Sequence, residues 1–206
     1  MKLTEERIES SGEITMDKCI YYKKEELLQQ LDRHLDWIKS CDTKTSIVLG
    51  VIGIITTLFT SDNSINTLNL VFSGIVHNLN FSNLLYLLFF ASSLFIFVYG
   101  LFCLIRVLIP RLSKEVEVYN GTNNDSLYFF ESIAKSTFPE YKEKIAKRIE
   151  EDEIFDIISQ IFINAQICTI KYSLYKKGIR FSFIGIAGIL ALYIIGIILL
   201  KSGGLD

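Results

Sequence analysis

Gln160, Asn164 and Lys171 recur at i, i+4 and i+11, a spacing that sets all three side chains on one stripe of a helix. Two carboxamides and an ammonium in a row can hydrogen-bond a small polar ligand. The same pattern also describes a solvated or interhelical polar face, and both readings stand. The two histidines, His34 and His77, lie on opposite sides of the first long apolar segment, so they cannot share a metal or a triad. Glu150, Glu151, Asp152 and Glu153 form a carboxylate run at a helix start, where the helix dipole favours negative charge without any catalytic role. There is no Gly-rich phosphate loop, no GxSxG elbow and no HExxH pair. The four cysteines, Cys19, Cys41, Cys103 and Cys168, are scattered with no CxxC, which argues against a zinc site or a disulfide framework and for reduced thiols. No metal, cofactor or catalytic residue is expected, and an enzyme is disfavoured.

The elements that must position the polar stripe are set by charge. Of the 206 residues 50% are hydrophobic and only 21% charged, and mean hydropathy is +0.35, more apolar surface than a soluble domain of this length buries. Aromatics at 13% and only two prolines exclude disorder, and a net charge of −2 argues against nucleic acid as partner. Residues 1–44 hold eight Lys and Arg, 45–105 none, 106–180 twelve, and 181–206 only Lys201. Hydrocarbon is the environment that demands such gaps. Residues 45–60 (TSIVLGVIGIITTLFT), 81–108 and 180–200 (RFSFIGIAGILALYIIGIILL) are therefore three expected transmembrane helices. The first is short, since sixteen residues rise only about 24 Å against a core of roughly 30 Å. The fold class is a mainly α-helical integral membrane protein. Its expected parts are an N-terminal cytoplasmic amphipathic helix (1–44), spans one and two (45–108) with a short external loop at 61–80, a cytoplasmic sensor module (109–178), span three (179–200) and an external tail (201–206). The charge-poor loop and tail should lie outside and the basic regions in the cytoplasm.

In the cytoplasmic parts, Leu27, Leu28, Leu31, Leu35 and Ile38 recur at helical spacing, and no Gly or Pro intervenes before the first span. Trp37 and Tyr21/Tyr22 suit packing or a membrane interface. An alternating EVEVY run at 115–119 reads as one strand, NGTNND at 120–125 as a turn, and 126–136 as a short helix. Thr137 and Glu140 form a capping box with Pro139 in the first turn of a helix expected to end near Ile149. From Asp152 a helix with Ile154, Ile158, Ile161 and Ala165 on one face should continue toward the third span.

Asp36-Trp37, then Cys41-Asp42-Thr43-Lys44-Thr45-Ser46 entering an apolar span, resemble the transmembrane (PycTM-like) effector family of Pycsar antiphage systems. So do Pro110-Arg111, SLYFFESIAK at 126–135, Glu140-Tyr141, and Gln160-Ile161, Asn164-Ala165 and Lys171-Tyr172. The resemblance runs over about residues 25–195. It implies a non-enzymatic effector in the bacterial inner membrane, answering a cyclic pyrimidine mononucleotide (cCMP or cUMP) from a partner cyclase. The response it implies is impaired membrane integrity and abortive infection, through either a pore or general membrane disruption, in a homo-oligomer. At the matching positions it implies phosphate contacts from Arg111 and Lys171, base or ribose contacts from Gln160 and Asn164, and stacking on Tyr128 or Phe129. Trp37, Asp42 and Lys44 would couple the pocket to the helices, although Arg111, Lys44 and Arg180 also stand where snorkelling is expected without any ligand. A CBASS-type effector gated by a cyclic oligonucleotide and a ligand-free membrane scaffold are the alternatives. The cytoplasmic parts carry only −2 (1–44) and +1 (106–180), which suits a single phosphate better.

Overall fold

The computed structural model describes residues 24–78, 80–110 and 126–202. They form six helices: α1 (Lys24–Phe59), α2 (Asp62–His77), α3 (Phe81–Leu108), α4 (Phe130–Lys135), α5 (Phe138–Lys147) and α6 (Glu150–Lys201). No strand occurs among the described residues. The strand expected at 115–119, the turn at 120–125, Arg111, Tyr21, Tyr22 and Cys19 lie outside them.

Three helices are long and apolar enough to cross a bilayer: α1, α3 and α6. In their most apolar stretches only 11%, 22% and 11% of residues are buried by the chain itself, so most of that surface faces hydrocarbon or another subunit. The protein is a helical, membrane-embedded one. With 52 residues, α6 extends about 78 Å, well over twice a hydrocarbon core of roughly 30 Å, so its first part must stand outside the bilayer. The unbroken helix follows from the absence of Gly and Pro between Glu150 and Gly178.

The chain divides into two compact units. One comprises Met1–Ile38 and Arg111–Cys168, the other Lys39–Pro110 and Thr169–Asp206. The first is built on Leu27, Ile154 and Ile157, with Leu28, Tyr128, Ile158 and Ile161 packed around them. Here α5 begins as its capping box dictates: the backbone N–H of Thr137 donates to the Glu140 carboxylate at 2.8 Å, with Pro139 in the first turn. The helix stops at Lys147 rather than near Ile149, and α4 covers only the second half of the expected 126–136 segment.

In the second unit α3 and α6 run antiparallel, their contacts pairing ascending positions on α3 with descending ones on α6. Tyr86 meets Gly196, Ser93 meets Gly188, Phe97 meets Gly185, Gly100 meets Ser182 and Leu104 meets Gly178. A Cβ at Gly185 would lie 2.6 Å from the Phe97 backbone, and one at Gly100 2.4 Å from the Ser182 nitrogen. These glycines are what let the two backbones approach, as hydrocarbon-embedded helices require in the absence of a hydrophobic drive. The Tyr86 hydroxyl donates to the Leu192 carbonyl at 2.8 Å.

The 61–80 segment, expected as a loop, is largely the helix α2. Its Asn and Ser content obscures an apolar row at Leu68, Val71 and Ile75. Val71 and Ile75 are fully buried beside Tyr86, Leu192, Leu199 and Leu200. That burial outweighs the weak helix propensity of the polar residues.

Candidate functional site: a fixed-charge hub and a buried ion pair

Asp156 stands on α6 between buried Ile154 and Ile157 in sequence and is only 3% exposed. A carboxylate there is tolerable only if fully partnered. It accepts from the Arg148 guanidinium and from the backbone N–H of Leu127, the latter at 3.2 Å. Arg148 caps the C-terminal end of α5, and its guanidinium also sits over the Tyr128 ring, 5.3 Å from the centroid. The Tyr128 hydroxyl donates to Glu153 at 2.7 Å, and Glu153 accepts from Lys24 on α1 at 2.7 Å. One turn of loop, one helix end and two long helices thus converge on five polar side chains.

The electrostatics of this hub are those of a clamp. Burial, and then its hydrogen bond to Glu153, push the Tyr128 phenol up to about 12. The hydrogen bonds from Lys24 and from Tyr128 hold the Glu153 carboxyl below the usual range. Near neutral pH the phenol therefore keeps its proton and the carboxylate its charge, so neither is poised for general acid–base work. Among the described residues no three His, Cys, Asp or Glu side chains gather as a metal-ligand set.

The residues singled out from the sequence are not all brought together. Tyr128 is in the hub, and Phe129, next to it, turns its ring against Phe130 at 4.9 Å. Gln160 is buried one turn beyond Asp156, and the Asn164 amide donates to its backbone carbonyl at 2.9 Å, a bond within the helix. Lys171 belongs to the other unit. Its ammonium, with a side chain only 5% exposed, meets both carboxylate oxygens of Asp42 at 2.6 and 2.8 Å. Asp42 and Lys171 form a partly buried ion pair between α1 and α6, and Lys44 stands exposed nearby in sequence. Trp37 is half exposed, edge-on to His34 at 5.1 Å.

The matching family can now be set beside this geometry. The chain matches the family described as the Pycsar effector protein domain over residues 26–200, which includes both units and all three long apolar helices. It belongs to the Pycsar effector family. A curated relative, the Pycsar effector protein GmPycTM of Gulbenkiania mobilis, is 30% identical over 165 residues, covering 76% of this chain and 84% of its own. No solved structure matches the chain. For this Pycsar effector, an antiviral defence protein of the membrane, Arg148, Asp156, Glu153 and Lys24 were not apparent in the sequence.

Proposed function

We propose that the chain is a bacterial inner-membrane effector gated by a cyclic pyrimidine mononucleotide, cCMP or cUMP, made by a partner cyclase. Bound nucleotide drives subunits of a homo-oligomer to impair the membrane, and the infected cell stops growing. The effector itself catalyses no reaction. The family match from residue 26 to residue 200 carries this reading, because it takes in the polar segments and the spans alike. The basic segments 1–44 and 106–180 face the cytoplasm, where a cyclase product accumulates, and the 61–80 segment and the C-terminus lie outside.

Two features support gating over a passive scaffold. Helices α1 and α6 each begin among polar residues and end in an apolar span, so a change at one end has a stiff path to the other. The Asp42–Lys171 pair fixes the register of those helices through a buried charge, an arrangement with discrete alternatives rather than a continuous range. A ligand moves such an equilibrium only through its different affinities for the two states. Shifting a population from 1:99 to 99:1 takes about 5.5 kcal/mol, more than one charged hydrogen bond supplies, so several subunits act together.

The test is dye release from liposomes carrying the full chain, with cCMP, cUMP, a cyclic dinucleotide or no nucleotide. Release that rises with cCMP or cUMP is the expected result. Equal release in all four arms refutes gating, and release with the dinucleotide alone refutes the mononucleotide.

A further inference from the structure

The α1 surface carries a cleft of about 500 Å³ lined, among the described residues, by Glu26, Gln29, Gln30, Arg33, His34 and Trp37. The positions fall at i, i+3, i+4, i+7, i+8 and i+11, so a single helical face presents all six. None of them belongs to the hub around Asp156, and none was assigned a ligand role by the sequence apart from the coupling expected of Trp37. Their chemistry is uneven in an informative way. One guanidinium, one half-exposed indole, two carboxamides and one carboxylate share the cleft with an imidazole whose Nδ1 is buried and, among the described residues, has no hydrogen-bond partner. A buried ring nitrogen without a partner is costly and calls for an explanation, of which a ligand that completes it is one.

We propose that this cleft is the binding site of the cyclic pyrimidine mononucleotide, an inference that rests on the gating reading above. Trp37 stacks on the base, as aromatic side chains do for unpaired bases. Gln29 and Gln30 each offer a donor and an acceptor, the pairing needed to read the Watson–Crick edge of a pyrimidine. Arg33 takes the phosphodiester, and a single guanidinium matches a single negative charge. Glu26 accepts from the ribose hydroxyl, and His34 Nδ1 gains its missing partner from the sugar or phosphate. The volume suits one nucleotide. An anionic lipid headgroup is also a phosphodiester and could engage Arg33, but it has no base for the carboxamides and indole.

The chain provides its own probe, because Trp37 is the single tryptophan. Full-length protein in phosphatidylcholine nanodiscs is titrated with cCMP and with cUMP while Trp37 emission and the heat of binding are both recorded. Saturable quenching in step with the heat is expected. Arg33→Gln, at an exposed position, should weaken binding about tenfold or more, and Gln30→Ala should change the preference between the two bases. Heat without any change in emission, or an Arg33→Gln variant that binds as the wild type does, overturns the site and leaves gating intact. No heat with either nucleotide overturns the gating reading itself. Phosphatidylglycerol nanodiscs that quench Trp37 and then block the nucleotide response assign the cleft to lipid, against the proposal.

Discussion

Asp156→Ala is the most demanding single perturbation of the polar hub. It leaves the Arg148 guanidinium, whose side chain is 17% exposed, without its carboxylate, and it orphans the Leu127 N–H. At this degree of burial the pair is not screened as a surface bridge would be, and removing one partner costs about 3–5 kcal/mol. For a unit of this size each kcal/mol corresponds to roughly 4–8 °C in midpoint, so a fall on the order of 10–40 °C is expected. Trp37 lies in the same unit and reports its unfolding by fluorescence during a thermal scan of the full chain in nanodiscs. The decisive comparison is Arg148→Met/Asp156→Leu, which removes both charges and leaves none stranded. It should retain well over half of the stability that the two single variants lose in sum. A fall under about 3 °C for Asp156→Ala, or a double variant as damaged as the sum of the singles, refutes the clamp.

Three further outcomes are expected. In the ion pair of the spans, Asp42→Ala should destabilise more than Lys171→Met in a detergent thermal scan. The first strands an ammonium on a side chain 5% exposed, and the second a carboxylate on one 35% exposed that still reaches water. Gly185→Val should lower the midpoint by a further overpacking cost of about 1–3 kcal/mol, because its Cβ would sit 2.6 Å from the Phe97 backbone, whereas Gly50→Ala should be tolerated with nothing within 4 Å. Stability should also depend on pH at both extremes, read from the same scans repeated across pH. Glu153 is depressed in the folded state, so its contribution is present above the ordinary glutamate value of 4.5 and fades as pH falls through the lower folded value. Tyr128 is raised to about 12 from 10.0, so its contribution is whole below pH 10 and fades between 10 and 12. Tyr128→Phe should reduce the loss of stability between pH 10 and 12.

The spans were legible because lipid excludes charge so strongly: the absence of Lys and Arg from 45–105 marks them with no alignment. The unbroken run of α6 was legible from its lack of helix breakers, and the start of α5 from Thr137, Pro139 and Glu140. Helix α2 was not, because tertiary burial of Val71 and Ile75 decides it and local composition points the other way. The polar partners were hidden for a different reason. Asp42 and Lys171 each drew attention singly, yet 129 positions separate them, and periodicity within one helix carries no information about which residue on another it meets. The hub combines a loop, a helix end and two helices, and the spacing within any one of them does not reveal that they meet. The cleft on α1 lay unread because its apolar row of leucines drew the eye to the opposite face.

The partners of α1 have a bearing on synthesis. Lys24 awaits Glu153 and Asp42 awaits Lys171, each 129 residues further along the chain. At a bacterial elongation rate near the upper part of 5–20 residues per second, that delay is on the order of ten seconds. Throughout it Asp42 has no ion-pair mate. A ribosome that stalls, or a message cut before the codons of α6, therefore releases a fragment in which Lys24 and Asp42 lack these partners. For this membrane-embedded defence protein, both cross-chain ion pairs of α1 are completed only by the last helix made.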